Sequence, residues 1–151
     1  MDKRIIGLDV GDKTIGVAVS DPLMITAQGV TTIERIGARK DCDKIIAYIK
    51  EYDAGTVVCG LPLMLDGSDS PQTEKVREFA KLLENKMRSG ALKVELIFQD
   101  ERFTTKIAES VMMDAGLKRK ERKEFVDKQA AMIILQSYMD KLRFQKEEKD
   151  G

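Results

Sequence analysis

The sequence predicts an α/β protein, a mixed sheet of five strands with helices packed on both faces. Three observations predict it. The first thirty-odd residues hold three segments of strand character separated by tight turns; the apolar spacing then changes to that of a helix; and strands and helices alternate from there to the end of the chain.

Residues 4 to 10 (Arg-Ile-Ile-Gly-Leu-Asp-Val) read as a strand that sends Ile6, Leu8 and Val10 to one face and Ile5, Gly7 and Asp9 to the other. Gly11-Asp12-Lys13 has turn chemistry, and Thr14 to Ser20 is the returning arm of a hairpin, ended by Asp21-Pro22. Residues 25 to 34, rich in Ile, Thr and Val, form a third strand. Cys42, Ile45, Ile46 and Ile49 lie at helical spacing, so about 39 to 52 is an amphipathic helix. Thr56 to Leu61 is a short apolar run of the kind buried on both faces of a sheet, stopped by Pro62. Ser70-Pro71 supplies an N-cap and first turn for a long helix carried by Val76, Phe79, Ala80, Leu83 and Met87. Val94 to Gln99 is the next strand and runs straight into Asp100-Glu101-Arg102. Thr105 is placed to cap a helix along Ile107, Ala108, Val111, Met112 and Ala115, closed by Gly116. The final helix, from about 124 to 143, has apolar positions at Val126, Ala130, Ile133, Ile134 and Tyr138, and the charged tail beyond Phe144 (about 145–151) is expected to fray.

A length of 151 residues without a linker or repeat suits one domain spanning 1–151. The composition excludes several chemistries. With no histidine, the chain has no Ser-His-Asp triad, no Cys-His pair and no His-ligated zinc. Cys42 and Cys59 form neither a CxxC motif nor a disulfide framework, which points to a reducing compartment. The apolar run at Ile5–Val10 is broken by Asp9, Asp12 and Lys13 before it could act as a signal core or a membrane span, so a soluble, cytoplasmic protein is expected. With 26 basic and 26 acidic residues the net charge is zero, which argues against binding nucleic acid through bulk charge and leaves room for a local basic patch.

Three carboxylate positions stand out. Asp9 lies inside a strand, where a charge is costly unless paired or bound to a cation. Asp100 and Glu101 end a later strand, where sheet proteins place ligand groups. Asp127 precedes Ala130, Ala131 and Ile134 by three, four and seven residues and so lies on the inward stripe of its helix. Oxygen donors of this kind suit Mg²⁺ or Mn²⁺, and a pair of such ions can hydrolyse a phosphodiester without histidine. Each residue also has a plainer use: Asp9 as the partner of Lys13, Asp100 and Glu101 as a solvated strand end, Asp127 as an N-cap. Residues 118 to 128 hold six basic and three acidic side chains. Lys118, Arg119, Lys120, Arg122 and Lys123 are either a solvated approach to the last helix or phosphate contacts beside Asp127. Arg102 and Lys13 likewise either contact phosphate or neutralise a neighbour.

These segments resemble, in order and over nearly the whole chain, the YqgF family, also called RuvX. The likeness is carried by Ile6-Gly7-Leu8-Asp9-Val10-Gly11, Ile15-Gly16-Val17-Ala18-Val19-Ser20-Asp21, Gly60-Leu61-Pro62, Asp66-Gly67, Asp100-Glu101-Arg102-Phe103-Thr104-Thr105 and Asp127-Lys128-Gln129-Ala130-Ala131. The resemblance implies an RNase H-like fold and a metal-dependent nuclease, with members described as Holliday junction resolvases and as nucleases that process the 5′ end of pre-16S ribosomal RNA. It maps the family's acidic residues onto Asp9, Glu101 and Asp127, and brings Thr104 in with Lys13, Arg102 and the 118–123 run as candidate nucleic-acid contacts. Met64 and Ser70 depart from the residues common in the family, asparagine and glycine. The expected partner is structured RNA or branched DNA, with the chain a monomer or a homodimer and no membrane involved. The competing functions are a Holliday junction resolvase, a nucleotide-binding domain related to sugar kinases and actin, and a non-catalytic nucleic-acid-binding factor of the same fold.

Overall fold

The computed structural model describes the backbone of residues 3–102 and 119–150 and the side chains of 3–102 and 129–146. The expected helix over 107–115, with its Thr105 cap and Gly116, lies outside the described residues, as do Thr104 and Lys118.

Five strands, β1 (Arg4–Val10), β2 (Thr14–Ser20), β3 (Ala27–Glu34), β4 (Ala54–Leu61) and β5 (Glu95–Asp100), form one sheet in the order β3-β2-β1-β4-β5. β1, β2 and β3 pair antiparallel, whereas β4 lies parallel to β1 and β5 parallel to β4. The mixed sheet expected from the sequence is therefore present. The β1–β2 turn closes through the Gly11 N–H, which donates to the Thr14 carbonyl at 2.9 Å.

β3 begins at Ala27, two residues later than the β-branched composition suggests, because the preceding residues are claimed by Asp21. Its carboxylate accepts the N–H groups of Leu23, Ile25 and Thr26, and its own N–H donates to the Thr26 carbonyl, which folds 21–26 into a closed turn. Those bonds hold the Asp21 carboxyl below its ordinary value.

Helices α1 (Ala38–Glu51) and α2 (Pro71–Ser89) cover one face and α3 (Arg119–Asp150) the other. The alternation in β1 assigns the faces as the sequence implies. Ile6, Leu8 and Val10 join Cys42, Ile45, Ile49, Val76, Phe79 and Leu83 under α1 and α2. Ile5 packs with Val58, Ala131, Ile134, Leu135 and Met139 under α3. α2 starts with a capping box in which the Ser70 hydroxyl accepts from the Thr73 N–H and the Thr73 hydroxyl accepts from the Ser70 N–H.

α3 differs from expectation at both ends. It starts at Arg119 and continues to Asp150, through the tail expected to fray. No Gly or Pro interrupts 119–150, and the Lys, Arg, Glu and Gln that dominate both ends are good helix formers. Its buried stripe is Ala131, Ile134, Leu135 and Met139, while Ala130 and Ile133, expected inside, are half-buried at its border. Glycines let this helix approach the sheet closely. A Cβ at Gly7 would lie 2.7 Å from Leu135 Cβ and 3.1 Å from the Ala131 carbonyl oxygen.

Candidate active site

Asp9 is the penultimate residue of β1 and faces α3. Its partner across the β1–β2 ladder is Gly16, where a Cβ would lie 3.6 Å from Asp9 Cβ and 3.3 Å from Ala131 Cβ. Asp9 is thus a half-buried carboxylate on the helix-covered face, near the C-terminal end of its strand.

Glu101 reaches the same face from two strands away. Its backbone N–H donates to the Leu61 carbonyl at 3.2 Å, which prolongs the parallel β4–β5 register by one residue. Its side chain folds over Gly60: a Cβ there would lie 2.5 Å from Glu101 Oε2 and would also collide with Ile134 of α3. Only a residue without a side chain leaves this space, so Gly60 is part of the site. The sequence holds a signal for it, since a glycine within an apolar, two-sided strand marks a close approach.

The electrostatics follow from this geometry. Burial pushes the Glu101 carboxyl up from 4.5 to about 7, and the negative charges of Asp9 and Asp100 add to the effect. The Cys59 thiol, buried in the core on the α1 and α2 side of the sheet, is pushed far up by burial and then by the charges of Glu101 and Asp9. Two residues distant in the chain therefore sense each other's charge.

Asp100 takes no part in this pair. Strand alternation turns it to the other face, where its carboxylate binds Arg102 through Nε at 2.8 Å and Nη2 at 2.7 Å; the guanidinium holds it below the ordinary carboxylate range. Arg102 also donates from Nη1 to the Leu65 carbonyl at 3.1 Å, so it neutralises a neighbour and secures a loop. Lys13 is exposed at the tip of the β1–β2 turn. That turn is held from behind by Arg35, whose backbone N–H donates to the Lys13 carbonyl and whose Nη1 donates to the Gly11 carbonyl, both at 2.9 Å. Arg35 also pairs with the fully buried Asp41 and lies over the Phe79 ring. This anchoring had no signature in the sequence.

Asp127 lies on α3 one helical turn before Ala131, the residue facing Gly16 and Asp9. Arg119, Lys120, Arg122 and Lys123 occupy the first turns of the same helix. Their side chains, and that of Asp127, lie outside the described residues. Among the described residues no three metal-ligating side chains are gathered in one group, and no helix is long and apolar enough to cross a membrane.

The strand order β3-β2-β1-β4-β5, with helices on both faces of the sheet, defines a protein of RNase H-like fold. Its fold matches T. thermophilus RuvC in complex with a Holliday junction substrate, at a TM-score of 0.64 and 12% identity over 95% of this chain and 96% of that one. The fowlpox virus Holliday junction resolvase matches at 0.55 and 13%, over 91% and 99%. At such identities the likeness is one of fold. Membership is settled by sequence: residues 3–141 match the family model described as "RuvX: Holliday junction resolvase", and the chain belongs to that family of nucleases. Relatives named "Putative pre-16S rRNA nuclease" include one from Clostridioides difficile, 48% identical over 93% of this chain and 96% of its own length, and one from Clostridium kluyveri, 46% identical over 92% and 98%.

Proposed function

We propose that the chain is a metal-dependent nuclease that hydrolyses phosphodiester bonds in structured RNA and trims the 5′ end of pre-16S ribosomal RNA in the cytoplasm. The observation that supports this reading is the Glu101 carboxylate buried over Gly60 within reach of the Asp9 charge on the α3 face, with Asp127 assigned to the same site by the family motif. The substrate class comes from the relatives' names.

The donor set fits a hard divalent cation. All three side chains offer oxygen, and two of them are crowded so that one is held protonated up to about pH 7, a repulsion that a bound cation relieves. Asp9, Glu101 and Asp127 are the residues that would hold Mg²⁺ or Mn²⁺. Once bound, such an ion supplies an activated water and a counter-charge for the phosphate oxygens.

The protein's own part is positional. Gly60 leaves room for the Glu101 carboxylate, and the Leu61 carbonyl fixes its backbone. Gly16, opposite Asp9 in the β1–β2 ladder, adds no side chain between Asp9 and Ala131. Lys13 and the basic first turns of α3 (Arg119, Lys120, Arg122 and Lys123) supply phosphate contacts, with Thr104 and Lys118 assigned to the same role by the family motif.

The test is a cleavage panel of pre-16S rRNA leader, single strands and four-way DNA junctions with Mg²⁺ or Mn²⁺, using wild type and Asp9→Asn. Metal-dependent leader cleavage by wild type, abolished in a variant with an unchanged circular dichroism spectrum, is the expected result. Equal cleavage by the variant refutes the site, and cutting confined to four-way junctions replaces the RNA substrate with branched DNA.

A further inference from the structure

We propose that Met64 and Leu65, at the tip of the loop between β4 and α2, form an apolar finger that rests on the face of an unpaired nucleobase beside the cleaved phosphodiester. The site would thereby select nucleic acid with unpaired bases over continuous duplex. The proposal rests on the nuclease reading above for its orientation.

The two side chains are 51% and 71% exposed, and they stand on a loop whose backbone is closed. The Met64 N–H donates to the Ser68 carbonyl at 2.9 Å and the Gly67 N–H to the Met64 carbonyl at 2.8 Å. Gly67 takes a φ of +88°, which the turn requires. The base of the loop is tied to α2, where the Thr73 hydroxyl donates to the Pro62 carbonyl at 2.5 Å. An ordered segment that holds two large apolar side chains in water, with no core beneath them, is preorganised for an apolar ligand.

Position makes that ligand part of the substrate. The loop leaves β4 directly after Gly60 and Leu61, the residues against which Glu101 is seated, and the Leu65 carbonyl is held by Arg102, the residue following Glu101. Chemistry then selects the base over the backbone. The loop's acids are engaged locally, Asp66 with the Ser68 N–H and hydroxyl and Asp69 with Arg77, and the cation at the tip, Arg102, is itself held by Asp100 and the Leu65 carbonyl. Apolar side chains bind base faces, which a continuous duplex keeps stacked and an unpaired base exposes.

The test uses hairpin oligonucleotides carrying 2-aminopurine, made as RNA and as DNA, either fully paired or with a short unpaired stretch at the probe. They are bound by the full chain in EDTA, so that nothing is cut. Wild type is expected to bind the unpaired form about tenfold tighter than the paired one and to change its fluorescence. The double variant Met64→Ser, Leu65→Ser should lose that preference with an unchanged melting temperature, and Leu65→Phe should keep it. The RNA and DNA arms show which polymer supplies the base. Equal affinity of wild type for both forms overturns the proposal, as does a preference kept by the serine variant. So does a dimer in light scattering that the serine variant dissociates, because the tip would then be a protein contact. Wild type that discriminates without ever cutting sinks the nuclease reading alone; Asp9-dependent cutting without discrimination sinks this one alone.

Discussion

Replacing Glu101 with Gln in the metal-free protein should raise stability at alkaline pH and leave it unchanged in acid. The native carboxyl is pushed up from 4.5 to about 7 by burial beside Asp9. Between those two values the folded protein binds a proton that the unfolded chain does not, so wild-type stability falls as pH rises through this window. At about 1.4 kcal/mol per pH unit the loss reaches about 3 kcal/mol above pH 7. Glutamine keeps the shape and carries no charge, so it escapes the loss. Urea denaturation of both proteins in EDTA at pH 4 and pH 8 gives the difference directly. The expected result is near equality at pH 4 and an advantage of up to about 3 kcal/mol for Glu101→Gln at pH 8. Mn²⁺ at pH 8 should then stabilise wild type more than the variant. A stability difference that does not change between the two pH values would refute the crowded-carboxylate account.

Other parts of the fold can be checked by the same denaturation experiment. Arg35→Ala leaves the buried Asp41 carboxylate without its cation and removes the hold on Gly11; a cost of about 3 kcal/mol is expected, and under about 1 kcal/mol would show that the pair is dispensable. Gly7→Ala places a methyl group 2.7 Å from Leu135 Cβ and should cost about 1–3 kcal/mol by lifting α3 from the sheet, with exchange of the α3 amides accelerated. Ser70→Ala removes one half of the α2 capping box and should cost about 1 kcal/mol, with Ser70→Asp restoring most of it.

The sheet was legible in the sequence because its evidence is local. Alternation in Arg4–Val10 assigns Ile6, Leu8 and Val10 to one face and Asp9 to the other, and helical spacing from Cys42 to Ile49 and from Val76 to Met87 marks the two helices beneath it. Boundaries failed where side chains compete for the backbone, as when Asp21 withdraws Ile25 and Thr26 from β3. The ends of α3 failed for the opposite reason: charged residues read as a loop and a tail are also good helix formers.

For the site, the sequence by itself determined the candidates, because motif and strand position mark Asp9 and the Asp100-Glu101 strand end without any knowledge of distance. It could not separate Glu101 from Asp100, which are adjacent in the chain. The tertiary structure sets them apart, since the Glu101 side chain lies over Gly60 on the Asp9 face while Asp100 turns to Arg102. Arg102, as suited by composition to bind phosphate as to neutralise a carboxylate, is likewise seen only in the folded chain to bond Asp100 and the Leu65 carbonyl. Gly60 gained its role, and Glu101 its raised proton affinity, only when β4, β5 and α3 were brought together. Close approach and burial arise between segments remote in the chain, and no spacing within one segment encodes them.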